Sequence, residues 1–432
     1  QCGACGEWNT LSEFVTDRAS PVRTSERVGY AGEAAGVKRL DEIELADMPR
    51  IATGIAELDR VLGGGMVPGS AILIGGHPGA GKSTLLLQVM CRLSETLKCR
   101  YGTGEESLSQ VAMRAERLKL PRAGLQLAAE TDVDAVIDLA QKEKPQLLVV
   151  DSIQVMFLTG LQSSPGSVAQ VRESAAALTR YAKQTGIGLL NVGQVTKDGT
   201  LAGPKVLEHM IDCSLMLEGS SDARYRTLRG LKNRFGAVNE LGVFGMTELG
   251  LKEVKNPSAI FLNRAEEISS GSLVTVVWEG TRQLLVELQA LVDQGHLGNP
   301  RRVCVGLEQN RLAMLLAVLH RHGGIQVGDQ DVFANVVGGV KVMETGADLA
   351  LLLAIVSSFR DRALPKDMVV FGEVGLSGEI RPVQQGQDRL QEAAKHGFRK
   401  AIVARSNSPR APISGMEVMA VATLAEALEK IF

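Results

Sequence analysis

The amino-acid sequence predicts an α/β fold with two domains of different construction, and three observations support this prediction. From residue 70 to residue 197, short apolar segments alternate with helical segments, which is typical of a parallel sheet with crossover helices. A glycine-rich loop follows the first apolar segment. Strand-like and helical segments continue after residue 256 without a second such loop, and 432 residues are too many for one ordinary domain. We therefore predict an α/β domain over residues 49–256 and a mixed α/β domain over residues 257–432.

Periodicity and turn residues locate the individual elements along the chain. Apolar runs and alternating patterns predict strands at residues 71–75, 100–103, 146–150, 187–192, 225–231, 241–248, two segments within 272–292, 302–307, 336–342, 368–374 and 401–404. Helical periodicity predicts helices at residues 57–62, 84–91, 110–118, 131–142, 168–185, 311–321, 348–359, 389–395 and 424–431.

The first residues of the chain contain a C-x-x-C-G sequence formed by Cys2 and Cys5. This spacing is typical of one half of a four-cysteine zinc site, but no second pair accompanies it, and a structural turn or unrelated thiols would give the same pattern. We predict a partial zinc-ribbon remnant with an incomplete zinc site over residues 1–19 and a polar linker over residues 20–48. The other four cysteines lie in apolar stretches, which indicates buried thiols in a reducing compartment.

Residues 76–83 fit the phosphate-loop pattern G-x-x-x-x-G-K-[ST] between a strand and a helix. Glycines let backbone N–H groups close around phosphate oxygens, and the helix N-terminus favours negative charge. We expect a nucleoside triphosphate here, with Lys82 at the β- and γ-phosphates and Ser83 holding Mg²⁺. A chance glycine-rich turn is the alternative, although strand, loop and helix occur in the order that the motif needs. The predicted nucleotide-binding residues are Gly76, His77, Pro78, Gly79, Ala80, Gly81, Lys82, Ser83 and Thr84.

Polar side chains follow three further strands of the predicted parallel sheet. Because ligands bind at the carboxyl ends of such strands, we expect Glu105, Asp151 and Gln194 to share one crevice with Lys82. Asp151 would hold Mg²⁺ directly or through water, unless it only caps the next helix. Glu105 is the candidate that orients the attacking water, with Glu106 as second choice, although adjacent carboxylates also occur in solvated turns. Gln194 would sense the γ-phosphate, or it is an ordinary surface amide.

Two flexible loops leave the same edge of the sheet, at residues 159–167 and 197–205. The second loop has a lysine at each end, and we predict that Lys197 and Lys205 contact the phosphates of DNA. Ordinary surface loops have a similar composition. The formal net charge of −2 offers no general attraction to nucleic acid, so such binding would depend on local cations.

A further candidate is the connection between the strands predicted at residues 225–231 and 241–248. It contains Lys232 and Arg234 beside Phe235, and a solvated hairpin tip is the simple interpretation. No run of 18 apolar residues and no signal peptide is visible, so we expect a soluble cytoplasmic protein without a membrane partner.

Several motifs together resemble the bacterial RadA family of recombination proteins, also called Sms. They are TGIAELDRVLGGGMVPGS, GGHPGAGKST, TGEES, LLVVDS, GQVTKDGTLAGPK and LKNRFG, of which KNRFG is specific to that family. The resemblance covers nearly the whole chain. It implies a zinc knuckle that binds Zn²⁺ in the full-length protein, a RecA-like domain that uses ATP and Mg²⁺, and a C-terminal Lon-protease-like domain, assembled as a homo-hexameric ring.

The resemblance also implies an activity and partners. Members of this family are described as helicases that drive branch migration alongside the RecA recombinase, which implies single-stranded DNA and branched recombination intermediates as partners. In ring motors of this class, cations from one subunit reach the nucleotide of the next subunit. Lys232 and Arg234 occupy the matching positions, so the resemblance implies a catalytic role for both.

Two other functions stay open on the sequence alone. A nucleotide-dependent switch or scaffold without translocation would need the same nucleotide site. A Lon-type protease would need a serine activated by a lysine. The matching segment, residues 344–348, contains Thr345 but no serine, and residues 386–390 contain no lysine, which predicts a non-proteolytic domain.

Overall fold

The structure, a computed structural model, describes residues 49–194, 205–219, 224–262, 269–295 and 300–432. The strands of the first sheet are β1 (Ala71–Gly76), β2 (Cys99–Thr103), β3 (Gln126–Ala129), β4 (Leu147–Asp151), β5 (Gly188–Gln194), β6 (Cys213–Glu218), β7 (Tyr225–Asn233), β8 (Leu241–Thr247) and β9 (Gly250–Glu253). The helices that accompany them are α1 (Ala56–Leu62), α2 (Lys82–Leu93), α3 (Leu108–Arg117), α4 (Val133–Glu143), α5 (Val168–Thr185) and α6 (Lys205–Met210).

The first sheet is parallel in its main part and antiparallel at one side. The strand order is β3-β2-β4-β5-β1-β6-β7-β8-β9. The first six strands of this order, from β3 at the edge to β6, pair in parallel with their neighbours. Strands β7, β8 and β9 follow β6 and pair in antiparallel fashion. The carboxyl ends of β1, β2, β4 and β5 therefore lie at one edge, which is where open α/β sheets bind ligands.

Helices cover both faces of this sheet. One apolar core contains residues of α1, α2 and α3, and the other contains residues of α4, α5 and α6. The sequence at both ends of helix α5 explains where this helix begins and ends. The Ser167 hydroxyl caps its first turn by accepting from the Gln170 N–H, and Gly186 ends it with a left-handed φ of 76°.

The second sheet has seven strands in the order β12-β13-β11-β10-β14-β17-β18. Its strands, with those of a separate two-stranded sheet formed by β15 and β16, are β10 (Ser272–Glu279), β11 (Arg282–Gln294), β12 (Arg302–Val305), β13 (Gln330–Val336), β14 (Met368–Phe371), β15 (Glu373–Val374), β16 (Ile380–Arg381), β17 (Lys400–Ala404) and β18 (Glu417–Val421). The helices are α7 (Gln309–Gly323), α8 (Asp348–Phe359), α9 (Gly386–Lys395) and α10 (Leu424–Ile431). Helices α7, α8 and α10 pack on one face, and α9 packs on the other.

The two sheets are joined by shared packing. Leu241 and Val243 of β8 are fully buried in the same apolar core as residues of α7 and α8. An ion pair between Arg282 of β11 and Glu57 of α1, 3.0 Å from Nη1 to Oε1, adds a polar connection. The predicted boundary at residue 256 falls between β9 and β10, and as a division into domains it stays a prediction.

The structure confirms the α/β fold class and corrects several predicted elements. The strand predicted at residues 336–342 is wrong, because β13 ends at Val336 and the chain then turns. Gly338 and Gly339, with φ of 82° and 75°, cannot continue an extended strand. Strands β3, β6, β9, β16 and β18 were not predicted, and β13 shares only Val336 with the predicted strand. Within the described ranges, no helix combines the length and apolar character that crossing a membrane requires.

Candidate nucleotide site

The phosphate loop follows β1 at the carboxyl edge of the first sheet. Gly76 pairs in register with Gln194 of β5 on one side and with Leu217 of β6 on the other. A Cβ atom at Gly76 would lie 2.5 Å from the Leu217 carbonyl oxygen, so only glycine fits there. Gly81, the N-cap of α2, has a left-handed φ of 106°. Helix α2 therefore begins inside the loop, where its free N–H groups and its dipole favour a phosphate group.

The tip of this loop is exposed and its base is buried. The exposed residues are His77, Pro78 and Gly79, the buried ones are Ala80 and Lys82, and Ser83 and Thr84 are half-buried. The Lys82 ammonium donates to the carbonyl oxygens of Gly76 and His77, at 2.8 and 3.0 Å. Burial lowers the pKa of Lys82, while the charges of Asp151 and Glu105 raise it. The lysine therefore lies at the loop and within electrostatic range of both carboxylates.

Ser83 and Asp151 offer the oxygen ligands that Mg²⁺ prefers. Ser83 lies in the first turn of α2, and Asp151 is the last residue of β4. The Asp151 side chain is largely buried and accepts a hydrogen bond on Oδ2 from the Tyr101 hydroxyl. A hydroxyl beside the phosphate loop and an oriented carboxylate at a neighbouring strand end are a donor set that fits a magnesium ion bound with a triphosphate.

The structure separates the two adjacent glutamates. Glu105 accepts hydrogen bonds from the Ser152 hydroxyl and from the Gln194 amide, the latter 3.2 Å from Nε2 to Oε1. Glu106 instead forms an ion pair with Arg114 of α3. Glu105, Asp151, Gln194 and Lys82 are thus brought together at one edge of the sheet, whereas Glu106 is held by a helix beside it. The roles predicted for these residues stay predictions.

An arginine from β7 supports the loop, and sequence reasoning missed it. Arg226 is 2% exposed, and its Nε donates to the carbonyl oxygen of Ala80 at 3.1 Å. Tyr101, Arg114 and Ser152 were missed in the same way. For Tyr101 and Arg226, a phenol or a cation within a strand was a signal that could have indicated such contacts.

Lys232 and Arg234 lie at the opposite edge of the same sheet. Asn233 of β7 pairs with Cys213, which also pairs with Ile72 near the beginning of β1. The phosphate loop begins at the other end of β1, about 13 Å further along the strand at ~3.3 Å per residue. The structure therefore does not bring these two cations to the nucleotide site of their own chain.

Local contacts hold both cations at this edge. The Lys232 ammonium donates to the carbonyl oxygens of Glu208 and Ile211. Arg234 Nη1 lies 3.1 Å from Asp212 Oδ1, and the Lys183 ammonium lies 2.9 Å from the same oxygen.

Three of the predicted site residues, Cys2, Cys5 and Lys197, lie outside the described residues. Lys205 is the first residue of α6. The predicted zinc site and the predicted DNA-binding loop therefore stay predictions.

Comparison with known proteins agrees with this architecture. The family described as "AAA domain" matches residues 38–200, and the family described as "Subunit ChlI of Mg-chelatase" matches residues 311–407. The first match includes the phosphate loop and Asp151, so this part of the chain is an ATPase domain. The second match lies within the Lon-like C-terminal part.

Three relatives extend the similarity to nearly the full length. The DNA repair protein RadA of Haemophilus influenzae is 66% identical over 429 residues, which are 99% of this chain and 94% of the relative. The protein of the same name from Escherichia coli is 64% identical over 431 residues, and that from Bacillus subtilis is 44% identical over 437 residues. Each of these two matches includes 99% of this chain and 94% of the relative. By its RecA-like ATPase domain, its Lon-like C-terminal part and this similarity, the chain belongs to the RadA family.

Proposed function

We propose that the chain is a DNA-dependent ATPase and a hexameric DNA motor that promotes branch migration of recombination intermediates in DNA repair. In this proposal it acts in the cytoplasm, alongside the RecA recombinase, on single-stranded DNA and branched intermediates. Each nucleotide site is shared between two subunits. One subunit supplies Lys82, Ser83, Glu105 and Asp151, and the next subunit supplies Lys232 and Arg234.

One observation carries the proposal of a shared site. Lys232 and Arg234 lie at the amino edge of the sheet, and the phosphate loop lies at the carboxyl edge. Cations at that distance cannot stabilise charge on a nucleotide bound to their own chain. A head-to-tail arrangement of subunits would place the amino edge of one sheet against the carboxyl edge of the next, and repetition of this contact closes a ring.

Arg234 is the better placed of the two cations for such a role. Burial lowers the pKa of Lys232, and the nearby charge of Arg234 lowers it further, which favours the neutral amine over the cation. The Arg234 side chain is 48% exposed, although its Nη1 contacts Asp212 and its Nη2 donates to the His209 carbonyl oxygen, so part of the side chain is accessible to a neighbouring subunit. A cation supplied in this way typically accelerates phosphoryl transfer ~10³–10⁵-fold, because it neutralises charge that develops in the transition state.

Proteolysis is disfavoured by the contacts in the second domain. The Thr345 hydroxyl donates to a carboxylate oxygen of Glu373 at 2.7 Å and has no basic partner among the described residues. The buried guanidinium of Arg389 is bound by both carboxylate oxygens of Glu344, at 2.6 and 2.8 Å. These groups provide no lysine to activate a nucleophile.

The first experiment separates a DNA motor from a nucleotide switch or scaffold. ATP hydrolysis is measured with and without single-stranded DNA, together with unwinding of a forked duplex, for the wild type and for Lys82→Ala. We expect hydrolysis that DNA stimulates, unwinding that depends on it, and neither activity in Lys82→Ala. Hydrolysis at the same rate with and without DNA, without unwinding, would favour the switch or scaffold.

The second experiment tests the shared site. The Arg234→Ala variant and the Lys82→Ala variant are first produced separately, and each alone should lack hydrolysis. The two variants, with different tags, are then produced together so that they form mixed rings. Hydrolysis should recover at roughly one interface in four, where the intact loop of an Arg234→Ala subunit meets the intact arginine of a Lys82→Ala subunit. Lys183→Met is the matched control, because it removes another cation from Asp212 and should leave hydrolysis near the wild-type rate. Full activity of Arg234→Ala alone would contradict the shared site.

DNA binding by Lys197 and Lys205 is tested through salt dependence. Replacement of either residue by alanine should reduce the slope of single-strand binding against salt concentration by ~0.7 for each phosphate that the variant no longer neutralises. An unchanged slope in both variants would place the DNA-binding residues elsewhere.

A further inference from the structure

A tyrosine from β2 contacts the carboxylate to which we assign magnesium. Thr103 pairs in register with Asp151, and Tyr101 lies two residues before Thr103, so Tyr101 faces the same side of the sheet as Asp151. Its side chain is 1% exposed, and its hydroxyl donates to Asp151 Oδ2. This hydrogen bond occupies one oxygen of the carboxylate and restricts its rotation.

The Tyr101 hydroxyl has one proton to donate in a hydrogen bond, and Asp151 accepts it. Near this site, Arg114 of α3 is paired with Glu106.

We propose that Tyr101 is a positioning residue for the magnesium site, which holds the Asp151 carboxylate so that its second oxygen receives the metal ion or a water bound to it. The inference rests on the proposed function, in which Asp151 holds Mg²⁺. Groups that orient a metal-binding carboxylate typically contribute about 10- to 100-fold to metal affinity.

The test measures metal binding without turnover. The affinity of a fluorescent, non-hydrolysable ATP analogue is measured in EDTA and at increasing Mg²⁺ concentrations, for the wild type and for Tyr101→Phe. We expect equal affinity in EDTA and a midpoint of the Mg²⁺ dependence that is about 10-fold higher, or more, in Tyr101→Phe. Tyr181→Phe is the matched control, because Tyr181 is buried in the same domain and should keep the wild-type midpoint.

Further variants separate the possible failures. Asp151→Asn should raise the midpoint, and an unchanged midpoint in that variant would reject the role of Asp151 itself. If Asp151→Asn raises the midpoint and Tyr101→Phe leaves it at the wild-type value, the inference about Tyr101 is wrong and the proposed magnesium site stands. Thermal unfolding in EDTA monitors the fold of each variant. Tyr101→Met, which fills the cavity without a hydroxyl, should reproduce the shift if Tyr101→Phe folds poorly.

Discussion

Arg229 of β7 and Glu279 of β10 form a buried ion pair that connects the first sheet to the second, with their side chains 11% and 6% exposed. Burial raises the pKa of Glu279, although the charge of Arg229 opposes this effect. The arginine also donates to the carbonyl oxygen of Lys341, 3.3 Å from Nη2, and the Lys341 ammonium lies 2.8 Å from Glu218. Several polar contacts therefore fasten the second sheet beside β6 and β7.

Removal of one partner of this pair should destabilise the protein strongly. Arg229→Met leaves a buried carboxylate without its cation, which typically costs about 3–5 kcal/mol. The free energy of unfolding by urea checks this value. The double variant Arg229→Met/Glu279→Met is the control and should recover most of the loss, because it leaves no buried charge. A single variant as stable as the wild type would contradict the prediction.

Glu279 should also contribute to the pH dependence of stability. Its folded-state pKa is raised, so the folded protein binds a proton that the unfolded chain has already released as pH increases. Its contribution is therefore fully present below the ordinary glutamate pKa and is lost as pH rises through the folded-state value. The free energy of unfolding by urea, measured at a series of pH values, should decrease less with rising pH in Glu279→Gln than in the wild type. If this free energy depends on pH in the same way in both proteins, Glu279 is not the group responsible.

Loss of the arginine that supports the phosphate loop should weaken nucleotide binding. Arg226→Met removes the hydrogen bond to the Ala80 carbonyl, and we expect roughly 3- to 10-fold weaker binding, as for one hydrogen bond of about 1 kcal/mol. Equilibrium titration with a fluorescent nucleotide measures this change. Arg92→Met is the control, because Arg92 donates to the Gly54 carbonyl and does not contact the loop. Equal weakening in both variants would indicate a general effect on stability.

The two adjacent glutamates should differ in their effect on hydrolysis. Glu105→Gln should reduce the rate constant of ATP hydrolysis about 10²–10⁴-fold with little change in nucleotide affinity, since a positioned base contributes about that much. Glu106→Gln should retain most of the activity, because Glu106 is paired with Arg114. Single-turnover measurements distinguish the two. A larger loss in Glu106→Gln would assign the base to Glu106.

Three buried cysteines should resist alkylation in the folded protein. Burial raises the pKa of Cys91 and Cys99 to about 11 and that of Cys213 to about 12, so few thiolates form at neutral pH. Treatment with iodoacetamide followed by peptide mass mapping should find these residues unmodified until urea is added. Modification of Cys213 under native conditions would show that β6 opens readily.

The elements with strong local signals were predictable from the sequence. Helices α5, α8 and α10 have the predicted bounds. Side chains cap the first turns of α5 and α10, at Ser167 and Thr423, and α8 is a largely apolar segment of helical length. The strand predicted at residues 336–342 failed because an apolar pattern does not show that Gly338 and Gly339 turn the chain. Strand β6 was missed although it lies inside the sheet, since its apolar run is short.

The candidate site was predictable only where chain order and sheet topology determine it. The ends of parallel strands meet, so the proximity of Glu105, Asp151 and Gln194 follows from the pattern of strands. The contact between Tyr101 and Asp151, and that between Arg226 and the loop, depend on which strands are neighbours and on register. Neither the neighbours of a strand nor its register can be predicted from the local sequence.

Strand β7 has a consequence for the interpretation of mutants. Arg226 supports the phosphate loop, Arg229 fastens the second sheet, and Lys232 lies at the far edge of the first sheet, all within one strand of nine residues. A shift of this strand along its axis would displace all three side chains together. A mutation in β7 would therefore resemble a defect in nucleotide binding, in attachment of the second sheet and in the contact between subunits that we propose. Only measurements at all three places would identify which of these is the cause.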